Sequence, residues 1–189
     1  MKNSMLEDVE KSVEKLHKGE IFLYPTDTVW GLGCDATNAA AVEKIINLKN
    51  RPENKSFVVL ANEKMLLEYV ASLDLTIFDY LETVTKPTTV IYENAVGLAE
   101  NVLAEDGSVA IRICNEPFCK TLLNRFKKPI LSTSANLSGT TAPAIFKDIA
   151  EVIKNGVDYV VQYRQDDGNI AAPSTIVRWK EGNGEVLRK

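Results

Sequence analysis

The chain has 189 residues, 45% of them hydrophobic and 25% charged, a globular composition that excludes disorder and collagen-like repeats. At roughly 150 residues per domain the length suits about one domain, expected over residues 1–189, and it buries most of its unfolded surface without disulfide or metal staples. Twenty-two basic against 26 acidic side chains leave a net charge of −4, which argues against a strongly basic nucleic-acid-binding domain but leaves room for a local basic patch.

The first helix is expected from Met5. Ser4-Met5-Leu6-Glu7 reads as a capping box, Leu6, Val9, Val13 and Leu16 follow at helical spacing, and Gly19 stops the run. His17 falls in the last turn, where an imidazole suits the helix dipole. The opening residues mix acids and bases without an apolar stretch, so no targeting segment is expected, and the longest apolar run, residues 57–61, is far too short to span a membrane. Ile21 to Tyr24 predicts a short buried strand. A loop over residues 25–38 then leads to a helix over Ala39 to Lys49, with Val42, Ile45 and Ile46 on one face and Pro52 beyond it. Phe57 to Ala61 predicts a strand, Asn62 the cap of a helix carrying Met65, Leu66, Tyr69 and Val70, and Leu75 to Thr83 a further helix.

Strands are expected over Thr88 to Tyr92 and Ser108 to Ile113, a helix over Pro117 to Arg125, and a strand over Ile130 to Ser132. A polar loop then leads to a helix over Phe146 to Lys154. Tyr159 to Gln162, Thr175 to Arg178 and Glu185 to Arg188 predict the last strands, the final two joined by a hairpin over Glu181 to Gly184. Alternating helices and strands together with hairpins argue for an α/β fold with a mixed sheet. The three cysteines, Cys34, Cys114 and Cys119, have no paired spacing, and with one histidine they make no tetrahedral zinc site. They are expected as reduced, buried thiols of a cytosolic protein, with Cys34, in a loop after Gly33, the one best placed for access.

Polar clusters follow several strands, where α/β proteins place ligands. The first is Tyr24-Pro25-Thr26-Asp27-Thr28 with Val29-Trp30-Gly31-Leu32-Gly33 behind it; an ordinary turn would use the same residues. Lys49, Arg51 and Lys55 gather cations around Pro52, a set suited to a polyphosphate and also to a solvated helix end. No P-loop pattern occurs. Ser132-Thr133-Ser134-Ala135-Asn136-Leu137-Ser138-Gly139 supplies hydroxyls and backbone N–H groups that suit phosphates or a small polar ligand, or a plain turn. Arg112 ends the apolar run 109–111, where an arginine is costly to bury without an anion. Ala172-Pro173-Ser174-Thr175 puts hydroxyls at the mouth of another strand.

Taken in order, the segments YPTDTVWGLGCDATN, LKNRPENKS, SVAIRI, STSANLSG, APSTIV and EVLRK resemble the YrdC/Sua5 family over essentially the whole chain. The resemblance implies an open twisted sheet with flanking helices and a positive concave cavity. It implies synthesis of threonylcarbamoyl-AMP from L-threonine, bicarbonate and ATP with release of pyrophosphate, for the t6A modification of tRNA in the cytoplasm. It implies Thr28, Arg112, Ser132 and Ser174 around threonine, and Lys49, Arg51, Lys55, Ser108, Ser134, Asn136 and Arg188 around ATP, with backbone near Leu60 and Ala142; Lys49 and Arg51 are the implied catalytic pair. Mg²⁺ is implied as held by the nucleotide phosphates rather than by a protein cage. tRNA or downstream transfer proteins are implied partners, and a membrane is not. The family glycine before the Thr88 strand is absent from Thr85-Lys86-Pro87, and Trp30 stands where a tyrosine is usual. Ser56-Phe57 stands where Pro-Leu is usual and resembles the YciO-like branch, whereas SANLSG resembles the synthase branch. A YciO-like non-catalytic RNA- or nucleotide-binding paralogue and a nucleotide-binding regulatory domain are the alternative readings.

Overall fold

The computed structural model describes residues 4–51, 57–180 and 182–188. Helix α1, Met5–His17, starts at the capping box: Ser4 Oγ accepts from the Glu7 N–H at 3.2 Å and the Glu7 carboxylate accepts from the Ser4 N–H at 2.9 Å. Its inward face differs from the apolar spacing. Leu6 is 48% exposed, while Asp8 and Ser12 are buried beside Val9 and Leu16. Asp8 takes the inward place because its carboxylate accepts from the Tyr159 hydroxyl at 2.5 Å and from the backbone N–H groups of Gln162 and Tyr163 at 3.0 and 2.7 Å. A buried carboxylate with three donors is satisfied, so it fixes the segment at 159–163 instead of destabilising the helix.

Strand β1, Phe22–Tyr24, pairs antiparallel with β2, Gly31–Asp35. Helix α2, Ala39–Lys49, is capped by Asn38 and closes on Asn50 in the left-handed region at φ 46°. Then follow β3, Val58–Ala61; α3, Glu63–Tyr69; α4, Thr76–Thr83; β4, Thr88–Tyr92; β5, Val109–Ile113; α5, Pro117–Phe126; and β6, Ile130–Ser134. The chain finishes with α6, Glu151–Asn155; β7, Tyr159–Val160; β8, Thr175–Lys180; and β9, Asn183–Arg188. Among the described residues nine strands form one sheet in the order β7-β1-β2-β6-β3-β5-β4-β8-β9. The pairs β1–β7, β3–β5 and β4–β8 are parallel and the others antiparallel, giving the mixed sheet that the alternation and hairpins predict. Helix α1 packs on α5 and α2 on β2, and a continuous apolar core joins them to the sheet.

Several elements differ from expectation: β7 ends two residues early at Val160, β8 runs two residues further to Lys180, and β9 starts two residues earlier at Asn183. Strand β2 lies where the glycines predict a loop. Gly31 faces Tyr24 and Gly33 faces Phe22 across the pair. A Cβ on Gly33 would come within 2.7 Å of the Tyr24 ring and 2.9 Å of the Phe22 ring, so aromatic side chains of β1 cover the bare backbone of β2. Cys34 is accordingly in a strand and fully buried, and Cys114 and Cys119 are buried too; burial pushes the Cys34 thiol well up, out of nucleophilic range. Strand β6 runs on through Thr133 and Ser134. The long helix expected over 146–154 is a 3₁₀ turn at Phe146–Asp148 followed by the short α6.

A candidate anion-binding site on the sheet face

The sheet register builds the site. Ser132 of β6 pairs with Gly33 on one side and Val58 on the other; Val58 pairs with Ala110, and Leu60 with Arg112. With a two-residue side-chain period, Ser132, Ser134, Val58 and Arg112 share a face with the bare positions Gly31 and Gly33. A cavity of about 330 Å³ opens there, walled by Thr26, Thr28, Trp30 and Arg51, with Phe57, Arg112, Ser132, Ser134, Ala142, Pro173, Ser174 and Arg188 completing it. Three guanidinium groups thus meet four of the predicted hydroxyls, and no carboxylate or imidazole lines the space among the described residues. Fixed donors on a wall that carries no carboxylate suit an anionic ligand.

Two hydroxyls are set by a tight turn after β1. Thr26 Oγ1 donates to the Val29 carbonyl at 2.8 Å, accepts from the Thr28 N–H at 3.0 Å, and lies 3.0 Å from Thr28 Oγ1. Thr28 Oγ1 in turn accepts from Arg112 Nη2 at 3.2 Å, across 84 residues of sequence. On the opposite wall Ser174 Oγ lies 2.8 Å from Thr89 Oγ1, and Arg188 donates to the Ser174 carbonyl from Nε at 3.3 Å and Nη2 at 2.9 Å. The Arg51 guanidinium lies over the Phe57 ring, 4.3 Å from its centroid. Burial lowers the Arg51 pKa, although arginine stays protonated throughout the physiological range.

Lys49 is 1% exposed and stands beneath the cavity, not on its wall. Its Nζ donates to the Ser134 carbonyl at 2.5 Å and to the Asn136 carbonyl, while its own carbonyl accepts from the Ser138 N–H at 2.9 Å. Burial, with the nearby Arg51 charge, lowers its pKa from 10.5 to about 8. Asn136 accepts from Ser134 Oγ at 2.5 Å and donates to the Thr140 carbonyl at 2.7 Å, so the lysine and the asparagine together fix the turn after β6.

Of the residues chosen from sequence, Thr28, Arg51, Arg112, Ser132, Ser134, Ala142, Ser174 and Arg188 meet at the cavity. Lys49 and Asn136 support it through the 134–138 turn. Ser108 does not join them: it precedes β5, donates to Asp106 at 2.6 Å, and stands four strand positions from Arg112, roughly 13 Å along the strand. Leu60 is buried in β3 beside Arg112. Lys55 lies outside the described residues. Sequence reasoning placed Thr26 and Pro173 in its polar clusters but gave no ligand role to them or to Phe57, all three of which line the cavity. It left out Arg164, which donates to the Thr26 carbonyl at 3.1 Å and pairs with Glu116 at 3.4 Å and Asp167 at 2.8 Å. The alternation Thr26-x-Thr28 is a signal that sequence offered; the Arg164 contacts, 138 residues away from Thr26, offered none.

The family model for Sua5, YciO and YrdC, described as "Telomere recombination", matches residues 14–189. The chain belongs to the Sua5/YciO/YrdC family. The Pseudoalteromonas translucida threonylcarbamoyl-AMP synthase is 32% identical over 185 residues, covering 95% of this chain and 96% of that relative. Sua5 of P. abyssi, in a crystal structure complexed with L-threonine, superposes with a TM-score of 0.85 at 20% identity over 100% of this chain, which spans just over half of that longer one, 55%. YciO of E. coli superposes with a TM-score of 0.81 at 21% identity, covering 100% of this chain and 91% of the other. The mixed nine-stranded sheet with flanking helices is therefore the Sua5/YciO/YrdC fold.

In this member of the family the cavity wall also bears on a metal. Mg²⁺ prefers carboxylate and water oxygens, and among the described residues the polar side chains of the wall are hydroxyls, guanidinium groups and the Trp30 indole, with no carboxylate. Among the described residues no cluster of three His, Cys, Asp or Glu side chains could hold an ion. A protein-held Mg²⁺ does not fit this wall; one carried by a triphosphate is part of the substrate. No helix among the described residues is long and apolar enough to cross a membrane.

Proposed function

We propose that the chain, acting as one unit over residues 1–189, makes threonylcarbamoyl-AMP from L-threonine, bicarbonate and ATP in the cytoplasm, for t6A modification of tRNA. The observation that carries the reading is the cavity where Arg51, Arg112 and Arg188 meet Thr28, Ser132, Ser134 and Ser174 without a carboxylate. The synthase relative at 32% identity over nearly the full length supports it.

In this reading Arg112 and Thr28 take the threonine carboxylate, with Ser132 and Ser174 on either side. The threonine amine and bicarbonate form an N-carboxy group with loss of water. A carboxylate oxygen of that group attacks the α-phosphorus of MgATP as the bond to pyrophosphate breaks. Such a displacement needs alignment and donors placed for the phosphoryl oxygens rather than a histidine base. Arg51, Arg188, Ser134 and Lys55 supply donors, Ala142 contributes at the rim, and Lys49 acts through the turn at Ser134 and Asn136; Ser108, tied to Asp106 away from the cavity, has no part in this reading. The adenylate passes to tRNA-modifying partners or to tRNA itself.

The test is pyrophosphate release with each substrate omitted in turn. Release is expected only when threonine, bicarbonate and ATP are all present; equal release without threonine leaves a simple nucleotide hydrolase. The YciO superposition favours one second reading, a nucleotide- or RNA-binding paralogue without turnover. That reading predicts ATP or tRNA binding, a steep salt dependence for the RNA, and no pyrophosphate under any combination.

A further inference from the structure

Arg112 and Asp27 stand on the wall between two depressions. Arg112 and Thr28 line the cavity just described, whereas Asp27 lines a neighbouring groove of about 460 Å³ together with Lys86, Thr88 and Glu116. The two side chains meet through the wall, with Arg112 Nη2 3.1 Å from Asp27 Oδ1. The Arg112 side chain is 6% exposed and that of Asp27 18%. The contact is an ion pair whose angle misses hydrogen-bond geometry, so Oδ1 is charge-paired without a hydrogen bond, and Arg112 Nε is buried with no acceptor among the described residues. Glu116, the buried carboxylate of the groove, is engaged elsewhere, by Arg164 and the Cys119 N–H. Asp27 is thus the carboxylate that compensates the Arg112 charge, and it does so from the side facing away from the cavity.

A buried guanidinium whose charge is balanced but whose donors are not all used is poised for one more anion. We propose that Asp27 is a positioning residue for Arg112: it holds the guanidinium beside Thr28 in the ligand-free protein so that the part of the fork lining the cavity is ready for the carboxylate of the incoming amino acid. This rests on the reading of the cavity as a threonine site. Asp27 touches no substrate in this account. It acts by fixing Arg112, and without it the arginine loses its ion-pair partner, leaves its place beside Thr28, and must be reordered whenever a ligand binds.

The experiment combines two readouts on the full-length chain. Side-chain nitrogen NMR follows Arg112 without ligand, and initial rates give the Michaelis constants for threonine and ATP. Wild type is expected to show slow Arg112 guanidinium rotation, and Asp27→Ala fast rotation. The threonine KM should rise about tenfold in Asp27→Ala, with the ATP KM unchanged. Asp27→Glu, which keeps the charge, should recover most of both properties. Should Asp27→Ala not fold, Asp27→Asn keeps the shape without the charge and is expected to free Arg112 and raise the threonine KM in the same direction. Asp27→Ala added to Arg112→Lys should produce no further rise. An Arg112 equally immobile without Asp27, or threonine and ATP constants that rise together, overturns the inference. A wild-type chain that does not bind threonine, yet whose Arg112 is released by Asp27→Ala, sinks the synthase reading and leaves the positioning of Arg112 by Asp27 standing.

Discussion

On one side of the Asp27–Arg112 pair, a cavity of about 330 Å³ collects Arg51, Arg112 and Arg188 among serine and threonine hydroxyls; on the other, a groove of about 460 Å³ collects Asp27, Glu63, Glu82 and Glu116, with Lys86 as its cation. The larger depression is the poorer candidate for ATP and an amino-acid carboxylate. Its carboxylates repel both ligands, and partial burial strengthens that repulsion. The smaller one offers oriented donors whose own hydrogen bonds, such as Arg188 to the Ser174 carbonyl, fix them before a ligand arrives. Donor chemistry and preorganisation, not volume, separate the two.

The strongest way to break that comparison is to remove a cavity guanidinium and a groove carboxylate in parallel. Arg51→Ala is expected to lower kcat/KM for pyrophosphate release by roughly 10²–10³, about 2.7–4 kcal/mol, the range for losing one oriented donor. Glu82→Gln changes an exposed groove carboxylate and should leave kcat/KM within about twofold, as expected for a surface substitution. Equal losses in steady-state assays would mean that both depressions serve the reaction.

A second contrast lies beneath the two surfaces. The groove's Lys86 is exposed, whereas Lys49 under the cavity is buried with its pKa lowered from 10.5 to about 8, chiefly by burial. Folded Lys49 holds its proton less tightly than the unfolded chain does. Between pH 8 and 10.5 the unfolded chain therefore binds more protons, and stability rises with pH. The cost of burying the charge is fully present below pH 8 and gone above 10.5, a difference of about 3 kcal/mol at ~1.4 kcal/mol per pKa unit. Denaturant midpoints measured across this window should climb in wild type relative to Lys49→Met. Parallel profiles would mean that Lys49 keeps an ordinary pKa and is not held under the Ser134–Asn136 turn.

Much of the fold and part of the site are legible in the sequence, and particular residues show where legibility ends. Helix α2 and strand β4 have the expected bounds because cap, period and apolar content agree. Strand β2 escapes because glycine disfavours strands unless a neighbour covers it, and the covering rings belong to Phe22 and Tyr24 on another strand. Arg112 stands out as a cation in an apolar strand, but its partners Thr28 and Asp27 come from 84 and 85 residues away, which spacing does not reveal. Lys49 has the sequence of a solvated helix end. Its burial follows from the 134–138 turn folding over it, a tertiary contact with no local signature.

The smallest expected loss at the cavity falls on the wall itself, at Arg112→Lys. Lysine keeps the positive charge, so the pairing with Asp27 can persist and the fold should tolerate the exchange. What it loses is the planar fork, which lets one side chain meet Asp27, Thr28 and a ligand carboxylate at once. An ammonium has three donors about a single nitrogen, and engaging Asp27 draws that nitrogen away from the cavity. The threonine KM is therefore expected to rise about tenfold, roughly 1.4 kcal/mol. The ATP KM should move much less, because Arg51 and Arg188 hold the nucleotide in this reading. Initial-rate kinetics with each substrate varied in turn separate the two constants. A rise confined to ATP would make Arg112 a phosphate ligand, move the amino-acid end of the site elsewhere on the cavity wall, and remove the reason for Asp27 to hold it.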